Sequence, residues 1–321
     1  MPNPESAAIG RWKQAERVLP LATLAVLLIV GISALYFQLS LPGRLPRDGA
    51  YREVAATLAK EALPEDVLLL YPWWIERVRL FVSGTPVVGY LGSDGNRFSA
   101  HARIWVLAQP ELPRFDRATF ERKFLPGRLP LKPPRRFGTL ELSLYRNGFY
   151  RPVVFSAVRE YRSARVYVED PGTGRLDCPF DGKVHRCAGA DQLRVAAEWH
   201  ELLYEPRLCL WMHPPGGSRR IVAEFPALPL GDRLALEAGI VGEYASGRQP
   251  ELTPVRAAVE DIASGARLLE LAISPGQEGM QSAERPVSGD RPVALRIWVQ
   301  SDNPASRETC LELSSDRAAP R

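Results

Sequence analysis

Histidine and cysteine are scarce here, with four of each in 321 residues. His101, His185, His200 and His213 form no H-x-x-x-H or H-E-x-x-H spacing, and no two cysteines stand as C-x-x-C, so the common zinc patterns are excluded and no metal or other cofactor is expected. Nucleophile and phosphate signatures are missing too. There is no G-x-S-x-G, no Walker loop, and no G-x-G-x-x-G after a strand. The run DPGTG from Asp170 reads as a turn, because no helix follows it. A net charge of +4 without one concentrated basic face argues against a nucleic-acid partner. Paired carboxylates remain available among 37 acidic residues, so a glycan-acting enzyme stands as the alternative to a non-catalytic binding protein.

Charge is wholly absent between Arg17 and Arg44. Inside that gap lies VLPLATLAVLLIVGISALYFQL, residues 18–39. About 20 apolar residues at 1.5 Å each cross a hydrocarbon core of roughly 30 Å. Pro20 falls in the first turn, where its missing N–H costs little, and Tyr36 falls near the far end, where an amphipathic ring suits the headgroups. A cleaved signal peptide would have a shorter apolar region and a small-residue site, and residues 34–40 offer no A-x-A pattern. The expectation is a retained, single-pass signal anchor. Flanking arginines and lysine tie at three on each side (Arg11, Lys13, Arg17; Arg44, Arg47, Arg52), so they leave orientation open. The cysteines decide it. An even number, Cys178, Cys187, Cys209 and Cys310, suits disulfides in an oxidising compartment. The expected topology has residues 1–17 as a cytoplasmic tail and everything after residue 49 extracytoplasmic, in a periplasm-like space.

After a Pro- and Gly-broken linker at 40–49, helical and extended patterns alternate. Residues 50–63 space their apolar groups for a helix, and Pro64 ends it. Residues 66–71, 85–90, 103–108 and 139–145 read as strands. Residues 73–82 and 115–124 read as helices, the second with Asp116 as N-cap, and residues 126–136 read as a proline-rich basic loop. Strands separated by helices imply a small α/β layer domain over 50–150. The order of helix, PEDVLLL, aromatic segment, RIWVL and RRFGTLELSLY resembles the extracytoplasmic domain that closes many polyprenyl-phosphate-sugar-dependent integral-membrane glycosyltransferases. There it follows the last transmembrane helix. The resemblance covers about residues 18–147. It implies a lipid bilayer as partner and a place in envelope glycan assembly, beside a membrane glycosyltransferase. It carries over no catalytic residue, because that family's acids lie between membrane helices that this chain lacks.

From residue 161 the pattern changes to short alternating runs separated by turn signals. Candidate strands are 164–169, 193–197, 201–204, 208–213, 218–225, 234–240, 255–261, 267–273, 293–300 and 308–313. Residues 255–271 fit either a hairpin turning at 263–265 or a helix broken at Gly265, and the neighbouring strands favour the hairpin. So many short strands predict an antiparallel β-sandwich over 151–321. It resembles lectin-like and carbohydrate-binding jelly rolls in architecture, and the overall class is α+β, membrane-anchored.

Aromatic and basic groups supply the candidate sites. Tyr71, Trp73 and Trp74 could stack a sugar ring, meet the bilayer, or simply pack under the next element. Trp199 and Tyr244 fall in expected loops beside acids and are candidate carbohydrate contacts, or covers of the sandwich edge, whereas Trp211 and Trp298 read as core. Arg114, Arg117, Arg122, Lys123, Arg128, Lys132, Arg135 and Arg136 form a band that either faces anionic lipid or phosphate or is a solvated loop. Four cysteines allow three pairings. Cys178 and Cys187 enclose a short loop, and Cys209 and Cys310 fall in the first strong strand and the last, which are often neighbours in a sandwich.

Overall fold

Two kinds of apolar run build two architectures in this chain. The computed structural model describes residues 23–40, 43, 45–90, 98–110, 117–202, 205–241, 253–289 and 291–318. The first element, α1 (Thr23–Ser40), is long and apolar enough to cross a membrane, and none of it is buried in the protein. Length and composition suit either a membrane anchor or a signal sequence.

Helix α2 (Asp48–Glu61) buries Tyr51, Val54 and Leu58, one stripe at helical spacing. That stripe packs on a five-stranded sheet of β1 (Val67–Tyr71), β2 (Val87–Gly89), β3 (Arg103–Ala108), β4 (Arg128–Phe137) and β5 (Leu140–Asn147), in the order β2-β1-β3-β5-β4. β1 pairs parallel with β2 and β3, and β5 runs antiparallel to β3 and β4. Leu68 and Leu70 face α2, while Val67 and Leu69 face Phe120 and Phe124 of α3 (Arg117–Phe124). Coverage on both faces explains why β1 is an unbroken apolar run rather than an alternating one. The expected N-cap Asp116 lies outside the described residues.

Two expectations in this region are corrected. The segment after Trp74 is a 3-10 helix, Glu76–Leu80, not an α-helix. Only Val78 is buried in it, so no apolar face supports a longer helix. Residues 128–137, expected as a loop, are strand β4. Pro130, Pro133 and Pro134 are tolerated because β4 is the sheet's edge, and its register slips twice against β5.

Beyond this sheet the chain is almost entirely antiparallel β. One sheet contains β6 (Val153–Ser156), β9 (His185–Arg186), β10 (Arg194–Leu202), β11 (Glu205–Met212), β13 (Arg233–Ile240), β16 (Gln281–Pro286) and β18 (Thr309–Asp316). The other contains β7 (Arg165–Asp170), β8 (Gly174–Asp177), β12 (Arg220–Leu228), β14 (Val255–Asp261), β15 (Arg267–Ile273) and β17 (Val293–Gln300). Alternate residues of both, such as Leu210, Leu236 and Leu311 against Ile221, Val259 and Ile297, share one buried cluster, which makes the pair a β-sandwich. β14 and β15 form the hairpin. Asp261 accepts from the backbone N–H of Ala263 and Ser264 at 2.8 and 3.0 Å, and Gly265 takes φ 68°.

Both cysteine pairs are disulfides, Cys178–Cys187 and Cys209–Cys310. β11 and β18 are indeed adjacent strands, with Trp211 opposite Cys310. The five-stranded sheet joins the sandwich through Asn147–Pro152. Arg151 N–H donates to Ser99 O at 2.8 Å, and its guanidinium reaches Asp316 at 2.5 Å, a carboxylate shared with Arg233. β11 also lies within 8 Å of β2, Cα to Cα.

Candidate functional site

Trp199 is in strand β10, not in a loop as expected. β10 continues through residues 198–200 because the β10–β11 hairpin runs on from the core, pairing Trp199 with Leu208 and Glu201 with Pro206. Alternation puts Trp199 and Leu208 on the same side as Ala197 and Leu210, the side that faces the other sheet. Yet Trp199 is 63% exposed and Leu208 40%. The hairpin therefore extends past the sandwich and leaves an indole and an isobutyl group uncovered on a rigid ladder. The residue types alternate here as in any strand, and the polar run Glu198-Trp199-His200-Glu201 hid that from sequence reading.

The opposite side of the hairpin is polar and closed. Arg194 donates to both oxygens of Glu198 at 3.1 Å, and His200 sits 3.3 Å from the same carboxylate. Burial raises the Glu198 carboxyl, but the hydrogen bonds and charge of Arg194, with those of His200, outweigh it and hold the group below its ordinary value. His200 stacks on Trp211 at 4.4 Å between centroids, and Trp211 is buried, as expected. In this part of the sheet four polar groups have no hydrogen-bond partner among the described residues: Trp211 Nε1, His213 Nδ1, Glu308 Oε2, and the entire guanidinium of Arg307, which is 0% exposed; the charge of Glu308 acts on both His213 and Arg307. Burial pulls both His213 and Arg307 below their ordinary pKa. Tyr244 lies outside the described residues.

The outer face of the other sheet carries a network that sequence reading missed. Trp298 is buried, as expected, but on this outer face with Tyr167, Val222 and Ala258 rather than in the inter-sheet core. Its Nε1 donates to Glu260 at 3.0 Å, and Arg296 donates to the same carboxylate at 2.7 Å. Burial raises Glu260, and the donors from Trp298 and Arg296 outweigh it, so the carboxyl sits below its ordinary value. Arg220, Arg267 and Arg256 lie over the Trp298 ring at 5.0, 5.3 and 6.0 Å. Arg175 covers Tyr167 at 3.3 Å, while burial and a 2.6 Å bond to Glu224 push the Tyr167 phenol up to about 12. Guanidinium groups thus occupy the faces that a sugar would stack on. Arginines and glutamates at alternate positions, with an aromatic between them in β7 and β17 (Tyr167 and Trp298), are the sequence signal of this sealed surface.

In the five-stranded sheet, Tyr71 is packed rather than presented. It stacks on Phe120 at 4.2 Å and meets Tyr90 edge-on at 5.4 Å. Trp73 and Trp74 are 40% and 48% exposed, edge to face at 5.8 Å. The basic band does not form one face. Lys132 and Arg135 bind Glu61 at 2.9 and 2.7 Å, while Arg117 and Arg136 approach Glu141 at 3.2 and 3.7 Å. Arg122 donates to Thr119, and Lys123 is exposed. Arg128 corrects its expectation. It is buried over the Phe124 ring and donates to the Phe124 carbonyl, so it faces neither lipid nor phosphate. Arg114 lies outside the described residues. Asp66, unremarked in the sequence, is 1% exposed and accepts from Arg103 at 2.7 and 2.9 Å, Trp105 Nε1 at 2.8 Å and Leu63 N–H at 3.0 Å.

A cavity of about 400 Å³ lies between Val154–Phe155 and Pro226–Pro229, with Glu160 as its one carboxylate. No cluster of metal-ligating side chains occurs among the described residues.

No protein-family model matches the chain, and no curated protein matches it. Among solved structures, CBM51 from Clostridium perfringens GH95 in complex with methyl-galactose is 10% identical, covering 47% of this chain and 78% of its own, at TM-score 0.24. The xylan-binding module CBM15 is 5% identical, covering 49% and 95%, at TM-score 0.28. The Penaeus vannamei nodavirus P-domain is 10% identical, covering 32% and 88%, at TM-score 0.22. Likenesses this distant assign neither a family nor a ligand.

Proposed function

We propose that the chain is a single-pass, membrane-anchored extracytoplasmic binding protein of envelope glycan assembly, with residues 18–39 as anchor. Residues 50–150 are its α/β layer domain, and residues 151–321 are a jelly-roll-like sandwich that takes a carbohydrate. It works beside a membrane glycosyltransferase and does no chemistry of its own. The carrying observation is Trp199, an indole 63% exposed on a paired strand with Leu208 beside it. A ring fixed by a ladder and bare on one face offers the apolar side of a sugar a preorganised stacking surface. Among the described residues of the sandwich, Trp199 is the most exposed ring, with Phe180 at 36%, and Trp298 is covered by arginines, which supports placing the sugar contact on the hairpin.

The full chain in lipid nanodiscs, titrated with envelope glycan fragments, tests this reading. Trp199→Ala is expected to weaken binding about tenfold, equivalent to ~1.4 kcal/mol, because an exposed stacking ring is lost. The melting temperature should barely move, since the ring covers nothing. Unchanged affinity in Trp199→Ala, or no affinity for any envelope glycan, overturns the carbohydrate reading in favour of a protein partner.

A further inference from the structure

The chain enters its first folded unit at a particular corner. α1 ends at Ser40 and α2 begins at Asp48. Seven residues between them reach at most about 25 Å, so that corner stays close to wherever α1 leaves the lipid. Asp48 pairs with Arg77 of the 3-10 helix at 2.8 Å, and Tyr51 stacks on Phe81 at 6.0 Å. The start of α2 is thereby fixed beside the segment that follows β1, at the C-terminal edge of the parallel strands.

Four of this unit's exposed apolar groups lie on the segments that meet at this corner, whereas Leu63, Leu129, Leu131 and Phe149 are exposed elsewhere. Leu80 is 76% exposed, Trp74 48%, Leu45 47% and Trp73 40%. Arg47 and Arg52 are exposed nearby, and the Arg77 side chain is 56% exposed. The exit to the sandwich is at the other edge. Asn147 N–H bonds Ala102 O and Arg151 N–H bonds Ser99 O, both just before β3, and Tyr150 bonds Glu65 just before β1. Tether and sandwich thus leave opposite ends of the same strands.

We propose that the corner formed by Leu45, Trp73, Trp74 and Leu80, flanked by Arg47 and Arg77, docks onto the surface of the bilayer that α1 enters. This rests on the reading of α1 as a retained anchor. Indole rings favour the headgroup layer, aliphatic side chains reach below it, and arginines meet anionic headgroups. Docking would hold this unit in a fixed stance at the bilayer, with the exit to the sandwich at the far ends of the parallel strands.

The test uses the full chain in phosphatidylcholine nanodiscs, with and without phosphatidylglycerol, a lipid-phase diazirine, and peptide mass spectrometry. Labelling is expected on residues 71–82 as well as on 23–40, and stronger with phosphatidylglycerol. In Trp73→Ser/Trp74→Ser/Leu80→Ser, labelling of 75–82 should fall several-fold while that of 23–40 stays, with the melting temperature in detergent nearly unchanged. Label on 23–40 without label on 71–82 overturns docking and leaves the anchor standing. No label on 23–40 overturns the anchor and docking together. Protection of 71–82 by a soluble oligosaccharide and not by lipid also overturns it.

Discussion

Asp66 in the five-stranded sheet and Arg307 in the sandwich are buried charges with opposite surroundings. In the first, the carboxylate of Asp66 takes four hydrogen bonds, from Arg103, Trp105 and the end of α2, and the unit contains no cysteine. In the second, the Arg307 guanidinium is fully buried without a hydrogen-bond partner among the described residues, and the Cys209–Cys310 disulfide closes the chain around it. A buried charge is tolerable when saturated, because desolvation is then offset bond by bond. An unsaturated one must be carried by other stabilisation. The sheet is held together by a polar hub, whereas the sandwich relies on covalent closure and a larger core.

The contrast is broken most directly at Asp66. Asp66→Ala leaves the part-buried Arg103 guanidinium with only the Glu61 carbonyl and strands the Trp105 indole N–H, and should cost about 3 kcal/mol, the low end of the penalty for removing one partner of a buried pair. Calorimetry should show the loss in a transition that leaves the sandwich's near-ultraviolet signal intact. A single transition lowered for both regions would mean that they do not differ as described. Next, Cys209→Ser/Cys310→Ser releases a loop of sequence separation 101. The expected cost is ~2–5 kcal/mol, read as a fall in the denaturant midpoint confined to the sandwich. Arg307→Met works in the other direction. Replacing an unpaired buried charge with an apolar chain of similar length should stabilise by roughly 1–3 kcal/mol. A destabilised Arg307→Met protein would show that Arg307 is satisfied in solution and remove the asymmetry.

Much of this fold was legible as periodicity. Alternation located β7, β12, β13, β14, β15 and β17, because each has one face in a common core. It failed where burial is one-sided in unusual ways. β8 is exposed throughout and β16 nearly so, leaving no apolar period to read. β4 was obscured by prolines that only an edge strand accepts. Trp199 stands out in the sequence as a candidate contact, but its strand reads as two because the hairpin outruns the core that would have patterned it. Trp73 and Trp74 were visible as a cluster, but Leu80 and Leu45 were not, since their exposure follows from how α2 packs beside the 3-10 helix. Asp66 and Arg307 differ only in the partners that the fold brings to them, which composition and spacing do not encode.

One edge of the five-stranded sheet has a consequence for crowding. A ten-residue strand such as β4, with Leu129 and Leu131 54% and 43% exposed, would ordinarily invite a neighbouring chain to extend the sheet. Three prolines remove donors from it, two register slips spoil its spacing, and Lys132, Arg135 and Arg136 put like charge along it. The opposite edge, β2, is only three residues long and lies beside β11. Copies packed side by side at high density therefore meet two edges of this sheet that resist strand addition, so polymerisation through it is disfavoured.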